Sequence, residues 1–192
     1  VLDDLLDAGK GEADGSLPDI YRGFLRVAHT PLPTVAAVNG AAVGAGMNMI
    51  LACDLVIAGR SARFDSRFLT IGIHPGGGHT WRLRNITDLQ TAKAMVLFEQ
   101  ILNGEEAVRH GVAWDCVDDD DLLNRAVEYA AKAAKHPREL VAVTKQTLHD
   151  TAAVTESVPS VQLEIEPQVW SMRQPAFAEM VAKLQAKIAG NK

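Results

Sequence analysis

The segment from Pro33 to Asp54, PTVAAVNGAAVGAGMNMILACD, constrains this chain more than any other. Val35 to Val38 is a run of small and β-branched residues of the kind that fills a buried strand. Gly40, Gly44 and Gly46 follow, where a backbone turns sharply or lets a ligand come close. Met47 to Cys53 then supplies good helix formers. The expected order is strand, glycine turn, helix. A helix start carries free N–H groups and the positive end of a dipole, so it can hold a developing negative charge such as an enolate oxygen. The competing reading of the turn is close packing of glycine against a neighbouring helix.

The same segment runs for 19 residues, Val35 to Cys53, without a charge, near the length of a membrane span. Two Asn, three Gly and many Ala keep its hydrophobicity modest, and prolines precede it. A strand, turn and helix inside an α/β core is therefore expected instead. The chain's 192 residues suit one domain, or one with a small appendage, and 47% hydrophobic residues suffice for a core. A net charge of -5 with no basic cluster argues against nucleic-acid binding. Cys53 and Cys116 are too few for a disulfide framework and read as reduced core thiols of a cytoplasmic protein. No charged n-region with a cleavage site opens the chain, so no signal peptide is expected.

Further along, Pro18 to His29 has helical apolar spacing, Thr34–Asn39 and Leu55–Ala58 read as strands, and Ala62–Phe64 as a short third. Residues 1–16 read as a helix end and a loop, and IGIHPGGGHT, residues 71–80, as a glycine-rich loop. Short helices are expected over Thr91–Phe98 and Glu105–His110, the latter closed by Gly111. The acidic run Asp118–Asp121 reads as an N-cap with dipole support rather than a metal site. Three amphipathic stripes follow, over residues 122–134, 137–148 and 177–188, and need their own core or a neighbouring subunit to cover them.

In this order, PLPTVAAVNGAAVGAG, ACDLVIAG, ARF, GIHPGGGHTWRL and EEAVRHGVA resemble the crotonase (enoyl-CoA hydratase/isomerase) family over most of residues 30–150. The resemblance implies an α/β fold, a spiral of ββα units with a helical C-terminal region. It places a partial spiral core, lacking its first units, over residues 1–120, and subunit-contact helices over 121–192. It implies a homo-trimer or hexamer, an acyl-CoA thioester as partner and substrate in fatty acid metabolism, no membrane or nucleic acid, and no cofactor beyond the substrate's own CoA. Two backbone N–H groups would polarise the thioester carbonyl. One falls on Ala45, flanked by Gly44 and Gly46; the other normally comes from a Gly-x-Asp loop that precedes the part of the family seen from Val1 onward.

The family's hydratases use two glutamates to activate water. Their positions here are Asn48 and Phe68. An amide cannot take a proton and a phenyl ring can only pack, so ordinary hydratase activity is expected to be weak. Other candidates are His74, Asp65 and the backbone of Gly76 and Gly77, where the family offers a further N–H. His74 and His79 either reach substrate or are loop residues satisfied by backbone or solvent. Asp65 is a weaker base candidate, since a lone Asp after a strand is more often a turn or cap residue. Lys145 and Lys183 lie where relatives often meet CoA phosphates, but helix faces carry solvated lysines routinely. Two functions stay open: a family enzyme, lyase or isomerase, with altered acid–base groups, and a non-catalytic acyl-CoA binder. A serine hydrolase is disfavoured because no Ser sits in the glycine turn.

Overall fold

The computed structural model describes residues 16–190, with side chains from residue 21. The expected features within residues 1–15 lie outside it. The described chain forms two compact units, residues 16–30 with 34–131, and residues 31–33 with 132–190.

The first unit opens with α1 (Ser16–Ala28) and then climbs through paired short strands. β1 (Val35–Val38) and β2 (Ala41–Val43) are separated by Asn39 and Gly40, and belong to different sheets. α2 (Ala45–Leu51) returns the chain to β3 (Leu55–Gly59), which again is followed by a strand of the other sheet, β4 (Arg63–Asp65). Sheet one has the order β1-β3-β6, all parallel; sheet two has β2 parallel to β4 and β4 antiparallel to β5. Each turn of the chain thus adds one strand to each sheet, the ββα spiral expected. The uncharged 19-residue stretch resolves into β1, β2 and α2. Among the described residues no helix is long and apolar enough to cross a membrane.

The spiral holds because β3 is buried on both faces. Val56 and Ala58 join a cluster with Met47, Leu51, Phe64, Leu83, Met95 and Leu102, whereas Ile57 points the other way onto Leu122 and Ala126. This is the period-two alternation of a strand, with apolar neighbours on each side. Thr34 and Asp54 clamp the ends of the first turn. The Thr34 N–H and hydroxyl both donate to Asp54 Oδ2, at 2.7 and 2.9 Å, and the Asp54 N–H donates back to Thr34 Oγ1 at 3.0 Å.

After β4 come a 3₁₀ turn (Leu69–Ile71), α3 (His79–Ile86) and α4 (Leu89–Leu97). Then follow β5 (Leu102–Asn103), α5 (Gly104–Arg109) and β6 (Asp115–Val117). Three of these differ from the sequence expectation. β2 is a strand where a turn was read, because Ala41–Val43 finds a parallel partner in β4. His79 is the first residue of a helix rather than the tail of a loop. Asp118 precedes a 3₁₀ turn (Asp119–Asp121) as its N-cap residue but makes no side-chain cap bond; Asp118 accepts instead from Arg60 Nε, and Asp119 from the Ser61 N–H at 3.1 Å. Neither cysteine is in a disulfide, and both are half-buried.

Helix α6 (Leu122–Ala134) ends the first unit. The second contains α7 (Arg138–Thr151), α8 (Ser157–Met172) and α9 (Pro175–Gly190). α8 escaped the periodicity reading, since Pro167 lies inside it and its apolar residues face several ways. Within this unit Leu140, Trp170, Phe177, Met180, Val181 and Leu184 line an apolar groove of about 530 Å³. Lys145 is buried and donates from Nζ to the carbonyl of Leu32 at 3.0 Å.

Candidate functional site

The site is assembled where β2 and β4 run out. Their ladder pairs Val43 with Asp65, and the Gly44 N–H continues it by donating to the Asp65 carbonyl at 3.0 Å. Gly44 then leaves the strand with φ 51° and ψ -113°, a conformation that favours glycine, and caps α2 without a side chain. Ala45 is the first helical residue, so its N–H is among those that the helix cannot pair internally. A Cβ built on Gly44 would meet only the Ser66 carbonyl at 3.9 Å and Phe68 Cζ at 4.0 Å; one built on Gly46 would meet open space.

On the neighbouring strand the chain makes an equally sharp exit. Asp65 and Ser66 are buried, and Arg67 takes φ 49°, a left-handed conformation uncommon for a side chain of its size. Arg67 Nε donates to Asp65 Oδ2 at 2.8 Å, which anchors the kink. Asp65, weighed as a cap or a base, is therefore the last residue of β4 and half of an ion pair. The kink turns Ser66 inward and brings Phe68 back over the site, its ring 4.9 Å from that of His79.

His79 is the centre of the arrangement and is fully buried. Its Nε2 lies 2.8 Å from Ser66 Oγ and its Nδ1 2.9 Å from Asn48 Oδ1. Asn48, 1% exposed on the first turn of α2, donates from Nδ2 to the Gly76 carbonyl at 3.0 Å. That last bond fixes the rest. The Gly76 carbonyl can only accept, so the Asn48 NH₂ faces it and Oδ1 faces His79. Oδ1 can only accept, so His79 Nδ1 carries the hydrogen and Nε2 is the bare nitrogen, taking the Ser66 hydroxyl proton. Burial, aided by the nearby Arg82 charge, pushes the His79 pKa down to about 4, which keeps the ring neutral at pH 7.

The loop before α3 is packed from outside by α1. A Cβ on Gly76 would collide with the Tyr21 hydroxyl, and one on Gly77, where φ is 66°, would lie 2.6 Å from Phe24 Cζ. Arg82 donates to the Gly77 carbonyl at 2.6 Å with its guanidinium 5.3 Å from the Phe24 ring centroid. These glycines are demanded by α1 and by the turn.

Of the residues singled out in the sequence, the structure gathers Gly44, Ala45, Asn48, Phe68, Gly76 and Gly77 around one spot. His74 stands apart: it is exposed, and its Nδ1 lies 2.8 Å from the carbonyl of Pro75. Asn48 was expected to orient a water or a carbonyl, but both ends of its amide are taken by His79 and Gly76. His79, read as a loop residue satisfied by backbone or solvent, instead pairs with two side chains. Ser66 was missed altogether. Its one sequence signal is its place two residues beyond Phe64, which continues the ladder to Gly44.

The enoyl-CoA hydratase/isomerase family profile matches residues 2–178. A probable enoyl-CoA hydratase of Mycobacterium tuberculosis is 44% identical over 186 residues, covering 94% of this chain and 72% of its own. The 1,2-epoxyphenylacetyl-CoA isomerase of Escherichia coli is 33% identical over 162 residues, 84% of this chain and 62% of its own. An enoyl-CoA hydratase structure from Bacillus anthracis superposes with a TM-score of 0.83 at 27% identity, covering 88% of this chain and 65% of that one. A Mycobacterium abscessus enoyl-CoA hydratase/isomerase structure, at 24% identity, shares the fold with a TM-score of 0.88 over 97% of this chain and 71% of its own. The chain spans about two thirds of the length of several solved structures it matches. The ββα spiral, the glycine turn into α2 and the family profile agree: this chain belongs to the enoyl-CoA hydratase/isomerase (crotonase) family.

Proposed function

We propose that the protein binds an acyl- or enoyl-CoA thioester with its carbonyl oxygen directed at the Ala45 N–H. Enolate-type charge would be stabilised there, and ordinary hydration of a double bond would be weak. The observation that carries the second part is the state of Asn48. The family resemblance puts it at one of the two positions where hydratases hold a carboxylate, and its amide bonds His79 through Oδ1 and the Gly76 carbonyl through Nδ2. The other position is Phe68, whose ring packs on His79. No carboxylate is left at either position to take a proton from water, and a lost general base or acid costs typically ~10²–10⁴ in rate.

The reading needs no group beyond the thioester itself. We place the protein in the cytoplasm, since two cysteines, neither in a disulfide, fit a reducing compartment. Copies of the chain would meet through the C-terminal helices as a trimer or hexamer. The groove at Trp170, Phe177 and Leu184, and the exposed Leu148, Val161 and Ile188, offer the apolar surface that such contacts bury.

Two measurements test the acyl-CoA reading together. A short acyl-CoA at 100 times its Kd should stabilise the folded protein by about 2.7 kcal/mol. Enolate formation should also exchange solvent deuterium into the carbon next to the carbonyl. Absence of any stabilisation by acyl- and enoyl-CoA would overturn the reading.

A further inference from the structure

The mechanism above makes no use of the best-organised polar group in the molecule. Ser66, His79 and Asn48 are 2%, 0% and 1% exposed and joined in one line of hydrogen bonds that ends on the Gly76 carbonyl. We propose that Ser66 is a nucleophile and that the protein cleaves a CoA thioester through an acyl-Ser66 ester, with His79 Nε2 taking the serine proton and Asn48 holding the imidazole tautomer. The proposal rests on the acyl-CoA reading of the Ala45 turn.

Three features of the geometry point this way. The first is direction. The Ser66 hydroxyl donates to a bare Nε2 while Nδ1–H donates to Asn48, the orientation a hydroxyl nucleophile and its base require. An amide as third member can fail by turning its NH₂ toward the ring, and the wrong tautomer costs about 10⁴ in serine proteases. Here the Gly76 carbonyl claims that NH₂ and forbids the turn.

The second is place. Val43 pairs with Asp65 and Gly44 bonds the Asp65 carbonyl, so the next step of the ladder sets Ser66 beside Gly44, one residue from the Ala45 N–H. A serine was sought in the glycine turn; it lies instead just past the end of the adjoining strand β4, its carbonyl 3.9 Å from a Cβ built on Gly44.

The third is cover. Over Gly44 the nearest side chain is Phe68, at 4.0 Å from a built Cβ. Phe68 is itself 9% exposed, and the proposal requires its ring to turn aside for a carbonyl at Ala45 to reach Ser66.

The reaction balances without any further reagent. Ser66 Oγ attacks the thioester carbon as its proton passes to His79 Nε2, and the oxyanion lies on the Ala45 N–H. The C–S bond then breaks, the sulfur takes the proton from Nε2, and CoA leaves as the thiol. Water next attacks the Ser66 ester, giving its proton to Nε2. The ester C–O bond breaks, Ser66 takes the proton back, and a carboxylic acid is released.

The test uses acetyl-CoA and butyryl-CoA, with thiol release followed in solution, acid-quenched protein weighed intact and binding followed by thermal stabilisation. We expect thiol release by the wild type, with any trapped acyl mass mapping to the peptide that contains Ser66. Ser66→Ala and His79→Gln should lose thiol release by about 10³-fold or more while the thioester still stabilises the fold. Thiol release by Ser66→Ala within tenfold of wild type would overturn the proposal. So would a wild type that is stabilised by the thioesters yet releases no thiol. A wild type that is not stabilised at all would defeat the acyl-CoA reading first and this proposal with it. If Ser66→Ala fails to fold, Ser66→Gly, which also lacks the hydroxyl, takes its place; thiol release within tenfold of wild type would then contradict a nucleophilic role.

Discussion

Removing the Asn48 amide leaves two buried groups without partners, the His79 Nδ1–H and the Gly76 carbonyl. Asn48→Ala should therefore lower unfolding free energy by ~2–4 kcal/mol, the cost of orphaning buried polar atoms, as measured by denaturant titration. A loss below ~0.5 kcal/mol would show that the network is not formed. His79 gives a sharper signature at the same scale. Its pKa is about 4 in the folded protein and near 6.5 when unfolded, so between those values the unfolded chain binds the extra proton. Stability is fully present above about pH 6.5 and falls as pH drops toward 4, by ~3 kcal/mol over that window. The charge that faces the ring, Arg82, works in the same direction as burial. Comparing the wild type with His79→Gln isolates this term: the variant's stability should decline less steeply from pH 7 to pH 4. Parallel curves would contradict a buried neutral His79.

At the scale of elements, the strands and turns close to the glycine motif could be read in advance and the pairings could not. β1, α2 and β3 follow from β-branched runs, helix formers and the positions of Gly40 to Gly46. β2 could not be foreseen, because Ala41–Val43 becomes a strand only when Arg63–Asp65 comes alongside it. For the same reason Ser66 stayed hidden: nothing local to DSRF says that it will sit next to Gly44. Asn48 and Phe68 were singled out through the order of the motifs, but the hydrogen-bond partners of Asn48 were not foreseen. Its partners are 28 and 31 residues away. The α1 contact also belongs to this scale. Gly77→Ala would force a Cβ against Phe24 Cζ at a positive φ, and should cost ~1–3 kcal/mol, read as a fall in melting temperature. Phe24→Ala in the same background opens that space and should recover part of the loss. No recovery would mean that φ and the contacts to Asn48 Nδ2 and Tyr21 Cδ1, each 3.0 Å from the built Cβ, account for it.

The first unit is built on short paired strands in which β3 carries apolar residues to both sides. Phe64, fully buried between Ala42 and Leu102 in the second sheet, should be among its costliest truncations, at ~3–5 kcal/mol for Phe64→Ala. The helices of the second unit expose large apolar side chains that a second copy would cover. Sedimentation should find a trimer or larger species, and a monomer at micromolar concentration would contradict that expectation. The central claim is the proposed one: Asn48 and Phe68, at the positions where the family resemblance implies carboxylates, leave the protein a weak hydratase. Steady-state hydration of a short trans-2-enoyl-CoA, with binding verified on the same sample, tests it directly. A rate at least ~10²-fold below that of a two-glutamate hydratase is predicted, and a rate within about tenfold of such an enzyme would contradict the account.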